Sequence, residues 1–403
     1  MSEGVPQTLD DACEFIVDCL HKTAPIQENG YPSIRTPNVG RGRLILEGVN
    51  RVSQAVYDEW TKRATPEPGD LIMAREAPAG NVAIIKDGQT VCLGQRTVHL
   101  RPDPSKVDPD FLCYFLLAPK QQGALLAGET GATAGHVNMR DIRRLKLGRL
   151  PEKNSQRKAG EIIAAYDDLI ENNQRRIALL EETARLLYRE WFVHFRFPGH
   201  EHIQITDGVP EGWERLPASE AFEVNPKTPR DDEGTIRYFP MAALSETGMV
   251  IGRGPMEERE KSTSVRFRNG DTLLARITPC LENGKTGYVQ MLEDGEVACG
   301  STEFIVLRQR RVSSYYIYLT ARQHDFRENA IRSMIGSSGR QRVQPNCFDR
   351  YFVAVPPALL AKLFDEAVGE MFDQIGNLDQ QNQKLSQARD LLLPRLMNGE
   401  IAV

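Results

Sequence analysis

The chain repeats itself over a long distance, and this repetition constrains its fold more than any other feature of the sequence. Gly69-Asp70 and Ala74-Arg75 recur as Gly270-Asp271 and Ala275-Arg276. Further matches keep the same order along both halves: Gly4-Val5-Pro6 with Gly208-Val209-Pro210, Val17-Asp18 with Val224-Asn225, Gly94 with Gly300, residues 131–135 with 336–339, and Leu186-Leu187 with Leu392-Leu393. Because an offset of roughly 200 residues far exceeds the 20–50 residues of solenoid repeats, the sequence predicts the tandem duplication of a whole domain.

Each half begins with strand and turn patterns and ends with a long helical pattern. The runs Leu71 to Ala74 and Phe304 to Leu307 are typical of strands, and Asp87-Gly88 is a turn pair. Because shorter helical patterns interrupt the strands, we predict a mixed α/β fold. We assign a first head to residues 1–150 and a second head to residues 201–355. Helical regions at 151–200 and 356–403 follow them.

Apolar residues recur at alternating spacings of three and four in both helical regions, which is the pattern of a coiled-coil seam. One seam runs from Ile163 to Trp191 and the other from Phe364 to Leu396. The helices could pack on their own heads or on each other. If an approximate twofold axis relates the copies, they form an antiparallel coiled coil, roughly 55 Å long. We expect Pro394 to end or kink the second helix.

The composition is that of a globular chain without a membrane span. No run of eighteen apolar residues occurs, and the first residues lack the pattern of a signal peptide. The seven scattered cysteines form no CxxC pair, so we expect reduced thiols and a cytoplasmic location. The net charge is −5, yet residues 139–158 hold eight Lys/Arg and two acidic residues. Such local positive charge suits a protein that binds DNA together with a partner.

Motifs of DNA-modifying enzymes are missing from the sequence. No lysine has Asp or Glu two residues before it, as in many nuclease metal sites, and there is no GxxxxGK[ST] phosphate loop. The strings Asn225-Pro226-Lys227 and Val355-Pro356-Pro357-Ala358 do not fit the base-flipping motif of a methyltransferase. We therefore expect no catalytic residue, no metal site and no cofactor in this chain.

Several long strings resemble the specificity subunits of Type I restriction–modification systems. They are residues 28–40, 68–78 and 92–97 in the first half, and 269–285, 300–304 and 337–343 in the second. Leu150-Pro151-Glu152 and Arg189-Glu190-Trp191-Phe192 resemble the central conserved region of the family, and residues 208–213 resemble the start of its second recognition domain. Ser155-Gln156 departs from the Glu-Gln that is common in the family.

This resemblance implies two target-recognition domains separated by two conserved helical spacers. Each head would read one half of an asymmetric, bipartite target in double-stranded DNA. The partners would be two adenine-methyltransferase (M) subunits and, through that complex, restriction (R) subunits. S-adenosylmethionine, ATP and Mg would then belong to the partner subunits, and no membrane would be involved.

Base reading requires forked or amide side chains on loops that a rigid head supports. Twelve residues are our candidates for DNA contact: Arg35, Asn38, Arg75, Gln95, Arg96 and Thr133 in the first head, and Arg276, Asn283, Lys285, Ser337, Arg340 and Arg342 in the second. Thr133 and Ser337 lie in small-residue loops where backbone could approach phosphate. Each candidate could instead form a surface ion pair. Arg75 and Arg276 occupy the same place in both copies and could instead support the fold.

Two other functions remain open at the level of sequence. One is a fragment of a fused restriction–methylation enzyme, although Met1 and Val403 lead us to expect a full-length chain. The other is a structural or regulatory coiled-coil protein that binds no DNA.

Overall fold

The computed structural model describes residues 6–127, 136–230, 234–252, 257–260, 264–337 and 339–403. The chain divides into two compact units, Met1–Glu171 with Asn382–Val403, and Asn172–Gln381. Both boundaries fall inside long helices. Helices and strands are mixed along both units, so the predicted mixed α/β class is confirmed.

The first unit contains the elements of the first head and the beginning of a long helix. They are α1 Leu9–Ala12, β1 Cys13–Asp18, β2 Tyr31–Ile34, β3 Gly42–Arg43, β4 Arg51–Val52, α2 Gln54–Trp60, β5 Leu71–Ala74, β6 Val82–Ile84, β7 Cys92–Leu93, β8 Thr97–Pro102, α3 Pro109–Leu117, α4 Pro119–Leu126, α5 Met139–Arg144 and α6 Lys153–Tyr188. Helix α6 continues into the second unit and is followed by a π-helical turn, Arg189–Val193.

The second unit contains the second head and most of the last helix. Its elements are β9 Ile205–Thr206, β10 Val209–Pro210, β11 Glu214–Pro217, α7 Ala218–Ala221, β12 Phe222–Val224, β13 Ile236–Phe239, β14 Glu257–Arg259, β15 Val265–Phe267, β16 Thr272–Ala275, β17 Thr286–Tyr288, β18 Ala298–Gly300, β19 Phe304–Gln309, α8 Ser314–Ala321, α9 His324–Arg332, β20 Phe352–Val355 and α10 Ala358–Met397.

Four strands of the main sheet follow the same order in both heads. The order is β1-β8-β5-β6 in the first head, where β3 adds a fifth strand at the edge, and β12-β19-β16-β17 in the second. Strands β5 and β16 lie at the centre, and all four residues of each are buried. This explains why both strands are continuous apolar runs rather than alternating ones. A smaller sheet in each head contains one parallel pair, β2 with β7 and β13 with β18.

An ion pair with a buried carboxylate joins β8 to the residue that precedes β5 in the first head. Arg101 of β8 donates from Nε and Nη2 to the Asp70 carboxylate, at 2.8 and 2.7 Å. Nε2 of His99 lies 2.6 Å from the same carboxylate, and the Glu67 amide also donates to it. Only 4% of the Asp70 side chain is exposed. Burial raises the pKa of Asp70, but the hydrogen bonds from Arg101 and His99 outweigh it, so the pKa lies below its ordinary value.

The second head has the same ion pair at the corresponding place. Arg308 of β19 donates to both carboxylate oxygens of Asp271, at 2.7 and 2.6 Å. The backbone amide of Arg268 donates to Asp271, as that of Glu67 does to Asp70. In each head, the aspartate just before the central strand thus accepts hydrogen bonds from a backbone amide of the preceding turn and from an arginine of the neighbouring strand.

A long helix lies within the helical region predicted at residues 151–200, and each unit packs its helix segments both on a head and on each other. In the first unit Ile163 and Leu396 share a buried core with Phe111 of the first head. In the second unit the rings of Trp191 and Phe364 lie 5.7 Å apart. Pro394 does not end the last helix, which continues to Met397.

Buried carboxylates on α6 attach the helix to head residues within each unit. In the first unit Asp167 accepts hydrogen bonds from the Tyr114 hydroxyl at 2.9 Å and from Arg389 at 2.6 Å. In the second unit Glu181 accepts one from the Tyr318 hydroxyl at 2.5 Å and one from the Met249 amide at 2.8 Å. Burial raises the pKa of Tyr114, and the Asp167 charge raises it further, so the phenol is a donor at neutral pH.

In the described part of the chain, no helix combines the length and the apolarity that a membrane span requires.

Replacing Asp70 with Asn tests the central ion pair. The change leaves the Arg101 charge without its carboxylate, so we expect the first head to lose about 3 kcal/mol of unfolding free energy at pH 7. The lowered pKa of Asp70 means that its stabilisation is complete above the unfolded value of about 4 and is lost as the pH falls below it. Urea unfolding followed by circular dichroism between pH 7 and pH 3 measures both effects.

The matched control is Asp87→Asn, an exposed position in a turn where Asn-Gly is as favourable as Asp-Gly. Equal stability of both variants, or a loss in D70N that persists unchanged at pH 3, would contradict the assigned role of Asp70.

Candidate nucleic-acid interface

Three loops of the first head meet beyond the end of the central strand β5. The Gly94 amide donates to the Ile34 carbonyl at 2.7 Å, which joins the loop after β7 to the end of β2. The Arg75 amide donates to the Arg96 carbonyl at 2.9 Å, which joins the residue after β5 to the start of β8. Four of the predicted DNA-contacting residues, Arg35, Arg75, Gln95 and Arg96, therefore lie on adjoining loops.

Arg75 is the buried member of this group. Its guanidinium donates to Asp18 at 2.7 Å and to the Val137 carbonyl at 3.0 Å. Its Nη2 lies 2.7 Å from Nε2 of His136. Because a guanidinium can only donate, His136 accepts there and its Nδ1 proton faces Glu76, 2.8 Å away. Arg75 therefore stabilises the adjoining loops through buried contacts and is not itself exposed.

Arg96 is the exposed member, with 62% of its side chain accessible to solvent. Its Nε lies 3.0 Å from Glu76, so the chain of contacts that begins at Asp18 ends at the surface. The backbone of Arg96 is left-handed, with φ of 64°. This conformation is uncommon for a residue with a side chain and requires support from surrounding contacts. The contact with Glu76 therefore orients the Arg96 guanidinium at the surface.

Arg35 and Asn38 stand on the adjoining turn. Arg35 is exposed, and a Cβ at Gly94 would lie 2.6 Å from its Cγ, so only glycine allows this approach. The Asn38 side chain accepts from the Arg35 amide and donates to the Ile45 carbonyl, which closes the turn. Gln95 is half-buried. Thr133 lies outside the described residues.

The second head brings Arg276 and Arg342 together through Glu303. The Arg276 amide donates to the Glu303 carbonyl at 3.0 Å, and its Nη2 donates to the Val343 carbonyl at 3.1 Å. Arg342 contacts the Glu303 carboxylate from Nε at 2.9 Å and from Nη2 at 2.7 Å. Residues 277 and 342 also form a β-bridge. Arg342 is thus the exposed member of this pair, as Arg96 is in the first head.

The other candidates of the second head are distributed more widely. Asn283 donates to Glu246 at 3.1 Å, and Lys285 contacts the Met241 carbonyl at 3.4 Å. Ser337 and Arg340 are exposed in the loop between α9 and Arg342. Nothing in these contacts selects between base and phosphate, so the DNA contacts of all twelve candidates stay predictions.

The carboxylates that orient the exposed arginines were missed by the sequence reasoning. Glu76 follows Arg75 directly, and Glu303 follows the Gly300-Ser301-Thr302 string, so both stood within the motifs. Their pairing partners are remote in sequence, at Arg96 and Arg342. No cluster of His, Cys, Asp or Glu suitable for a metal ion occurs within the described ranges.

Comparison with known proteins gives three kinds of finding that agree: a family model, curated relatives and a solved structure. The family model described as "Type I restriction modification DNA specificity domain" matches residues 7–182. The MjaIX specificity subunit of Methanocaldococcus jannaschii is 22% identical over 377 residues, which cover 89% of this chain and 83% of that protein. The EcoEI specificity subunit of Escherichia coli is 34% identical over 156 residues, which cover 37% of this chain and 26% of that protein.

The third finding is structural. The crystal structure of a Type I restriction–modification S subunit from M. genitalium superposes with a TM-score of 0.57 at 15% identity. The match covers 97% of this chain and 95% of that one, so the similarity of fold extends over both halves. These findings show a Type I restriction modification DNA specificity domain in residues 7–182 and a similarity to Type I specificity subunits, in sequence and in fold, that extends over most of the chain.

Proposed function

We propose that each head reads one half of a bipartite target in double-stranded DNA. The observation that carries this proposal is that the heads share a framework and differ in their loops. Four strands of the main sheet follow the same order in both heads, and in each head an arginine binds a buried aspartate. The loops beyond the central strand differ, with Arg96 bound to Glu76 in one head and Arg342 bound to Glu303 in the other. A common framework with different loops suits two readers of different sequences.

The exposed arginines are the best candidates for contacts with base edges. A guanidinium can bind guanine O6 and N7 with two parallel hydrogen bonds, and this needs a fixed orientation. Arg96 and Arg342 are exposed and are each oriented by a carboxylate. On binding DNA, such an arginine would exchange its carboxylate partner for acceptors on a base. The exchange adds little net affinity, so its main effect is on selectivity among sequences. Arg35 and Arg340 would add further contacts from the adjoining loops.

The proposed partners are two M subunits, which would methylate adenine with S-adenosylmethionine, and R subunits, which would use ATP and Mg. One surface supports a protein partner. Leu179, Leu186 and Val193 recur at intervals of seven residues and are 68%, 49% and 49% exposed. The spacing places Leu179 and Leu186 on one face of α6, and Val193 follows in the π-helical turn. This exposed apolar face would be covered in a complex. We propose that an M subunit packs on this face, and that the complex acts in the cytoplasm.

The two long helices would separate the heads as an antiparallel coiled coil and set the length of the unread gap. Two contacts support an antiparallel arrangement. Within the first unit, Asp167 in the first half of α6 binds Arg389 near the end of α10. Within the second unit, Trp191 in the turn after α6 packs on Phe364 near the start of α10. The comparisons do not support the alternative of a coiled-coil protein that binds no DNA.

Exchange of the first head tests the independence of the two readers. Replacing residues 1–150 with the head of a related specificity subunit should change one half of the methylated target and leave the other half unaltered. The physical reason is that each head has its own core and its own buried ion pair. Sequencing of methylated adenines in cells that express the hybrid with the M subunit measures both halves. A change in both halves would show that the heads are coupled.

Replacing Arg96 with Ala tests the assignment of an exposed reader. We expect an unchanged melting temperature and a loss of about 1–3 kcal/mol of discrimination at one base pair of the target. Duplexes that vary one base pair at a time, titrated against the complex, locate the affected position. Arg75→Ala is the informative companion, because it should lower stability through loss of the Asp18 pair. A loss of equal size for all duplexes would assign Arg96 to phosphate instead.

A further inference from the structure

A pocket of about 690 Å³ opens in the second head beside the loop that follows β12. Three cationic side chains line it, those of Lys227, Arg266 and Arg276. Thr302 adds a hydroxyl, and within the described residues the lining includes no carboxylate. A second pocket of similar volume lies nearby but contains Glu258, Glu293 and Glu296. The cationic lining is therefore a property of the first pocket and not of the whole surface.

The charge of Arg276 is not neutralised as that of Arg75 is. In the first head Asp18 binds Arg75 at 2.7 Å. The sequence repeat aligns Asp18 with Asn225, which is neutral and uses its side-chain oxygen to accept from the Val306 amide at 3.0 Å. The Nε of Arg276 is buried and has no hydrogen-bond partner among the described residues. A buried, unpaired donor on a cation is costly unless an acceptor arrives, and an anion is the natural acceptor.

The wall of the pocket is held by the framework of the head. Arg308, which binds Asp271, also donates from Nη2 to the Thr228 hydroxyl at 2.9 Å. The Asn225 amide donates to the Val306 carbonyl at 2.7 Å. These hydrogen bonds hold residues 225–228 in place before any ligand binds. A preformed site loses less conformational entropy on binding than a flexible one.

We propose that this pocket binds a phosphodiester group of the DNA backbone. The inference rests on the proposed reading of DNA by the second head and adds a specific anchoring site to it. Arginine, lysine and hydroxyl side chains are the usual donors to phosphate oxygens, and such contacts fix the position of a protein on the duplex without reading sequence. In the first head the equivalent arginine, Arg75, is already neutralised by Asp18. The proposed anchor therefore depends on the neutral Asn225 that stands in the second copy where the first has Asp18.

Salt dependence of binding tests this site directly. Each phosphate contact contributes about 0.9 to the slope of log K against log salt concentration. Asn225→Asp places a carboxylate on the pocket wall, in a left-handed backbone conformation that Asp tolerates. Lys227→Ala removes an exposed cation, so it leaves the fold intact even if the first variant does not fold. The full chain, assembled with its M subunit, is titrated with target and unrelated duplexes from about 50 to about 200 mM salt.

The expected result is a slope lower by about 0.9 in each variant, so that the wild type loses about threefold more affinity than the variant over this salt range. Target and unrelated duplexes should weaken by the same factor. Asn377→Asp makes the same chemical change at an exposed position of α10 outside the pocket and should leave the slope unchanged.

Unchanged slopes in both folded variants would overturn the proposal. So would a loss confined to duplexes with one particular base, since it would assign Arg276 to a base edge. If the wild-type complex binds no duplex at any salt concentration, the proposed function itself fails and this site fails with it. That outcome is distinguishable from the other two because it is measured on the wild-type complex alone, without any variant.

Discussion

Each head depends on one buried ion pair, in which an arginine of one strand binds an aspartate at the start of the neighbouring central strand. Asp70 and Asp271 each also accept a hydrogen bond from the backbone of the preceding turn. The pair therefore fixes a turn and two strands at once. A misplaced partner would leave a charge buried without compensation, which costs several kcal/mol. The candidate loops begin at the opposite end of the same central strand, so their positions follow from this constraint.

The sequence predicted what depends on local pattern. The repeat was visible as matching residues about 200 positions apart. The buried strand runs and the long helix within residues 151–200 rest on short-range periodicity, because burial of apolar side chains requires that spacing. The buried polar contacts were not predictable in the same way. Asp167 and Glu181 lie on a helix whose apolar seam was recognised, yet their partners Tyr114 and Tyr318 are far away in sequence. Of the two effects expected of Pro394, to end its helix or to kink it, the first was wrong, because the helix continues to Met397.

In the candidate site too, the residue types were predictable from the sequence, but their contacts were not. Residue type and placement on loops selected Arg96 and Arg342, and both are exposed. Residue type alone could not distinguish Arg75, which is buried on Asp18, from Arg276, whose Nε has no partner among the described residues. That difference arises from one position of the repeat, where Asp in the first copy becomes Asn in the second. Duplication thus preserved the framework and changed the charge balance around an equivalent arginine.

The central claim is that one chain reads two separate DNA segments with two heads on a common framework. The most direct test is selection of bound duplexes from a fully randomised library by the full chain assembled with its M subunit. The account predicts two short specified segments of different sequence, separated by an unspecified gap of constant length. A single continuous site, or two segments whose separation varies freely among the selected duplexes, would contradict it.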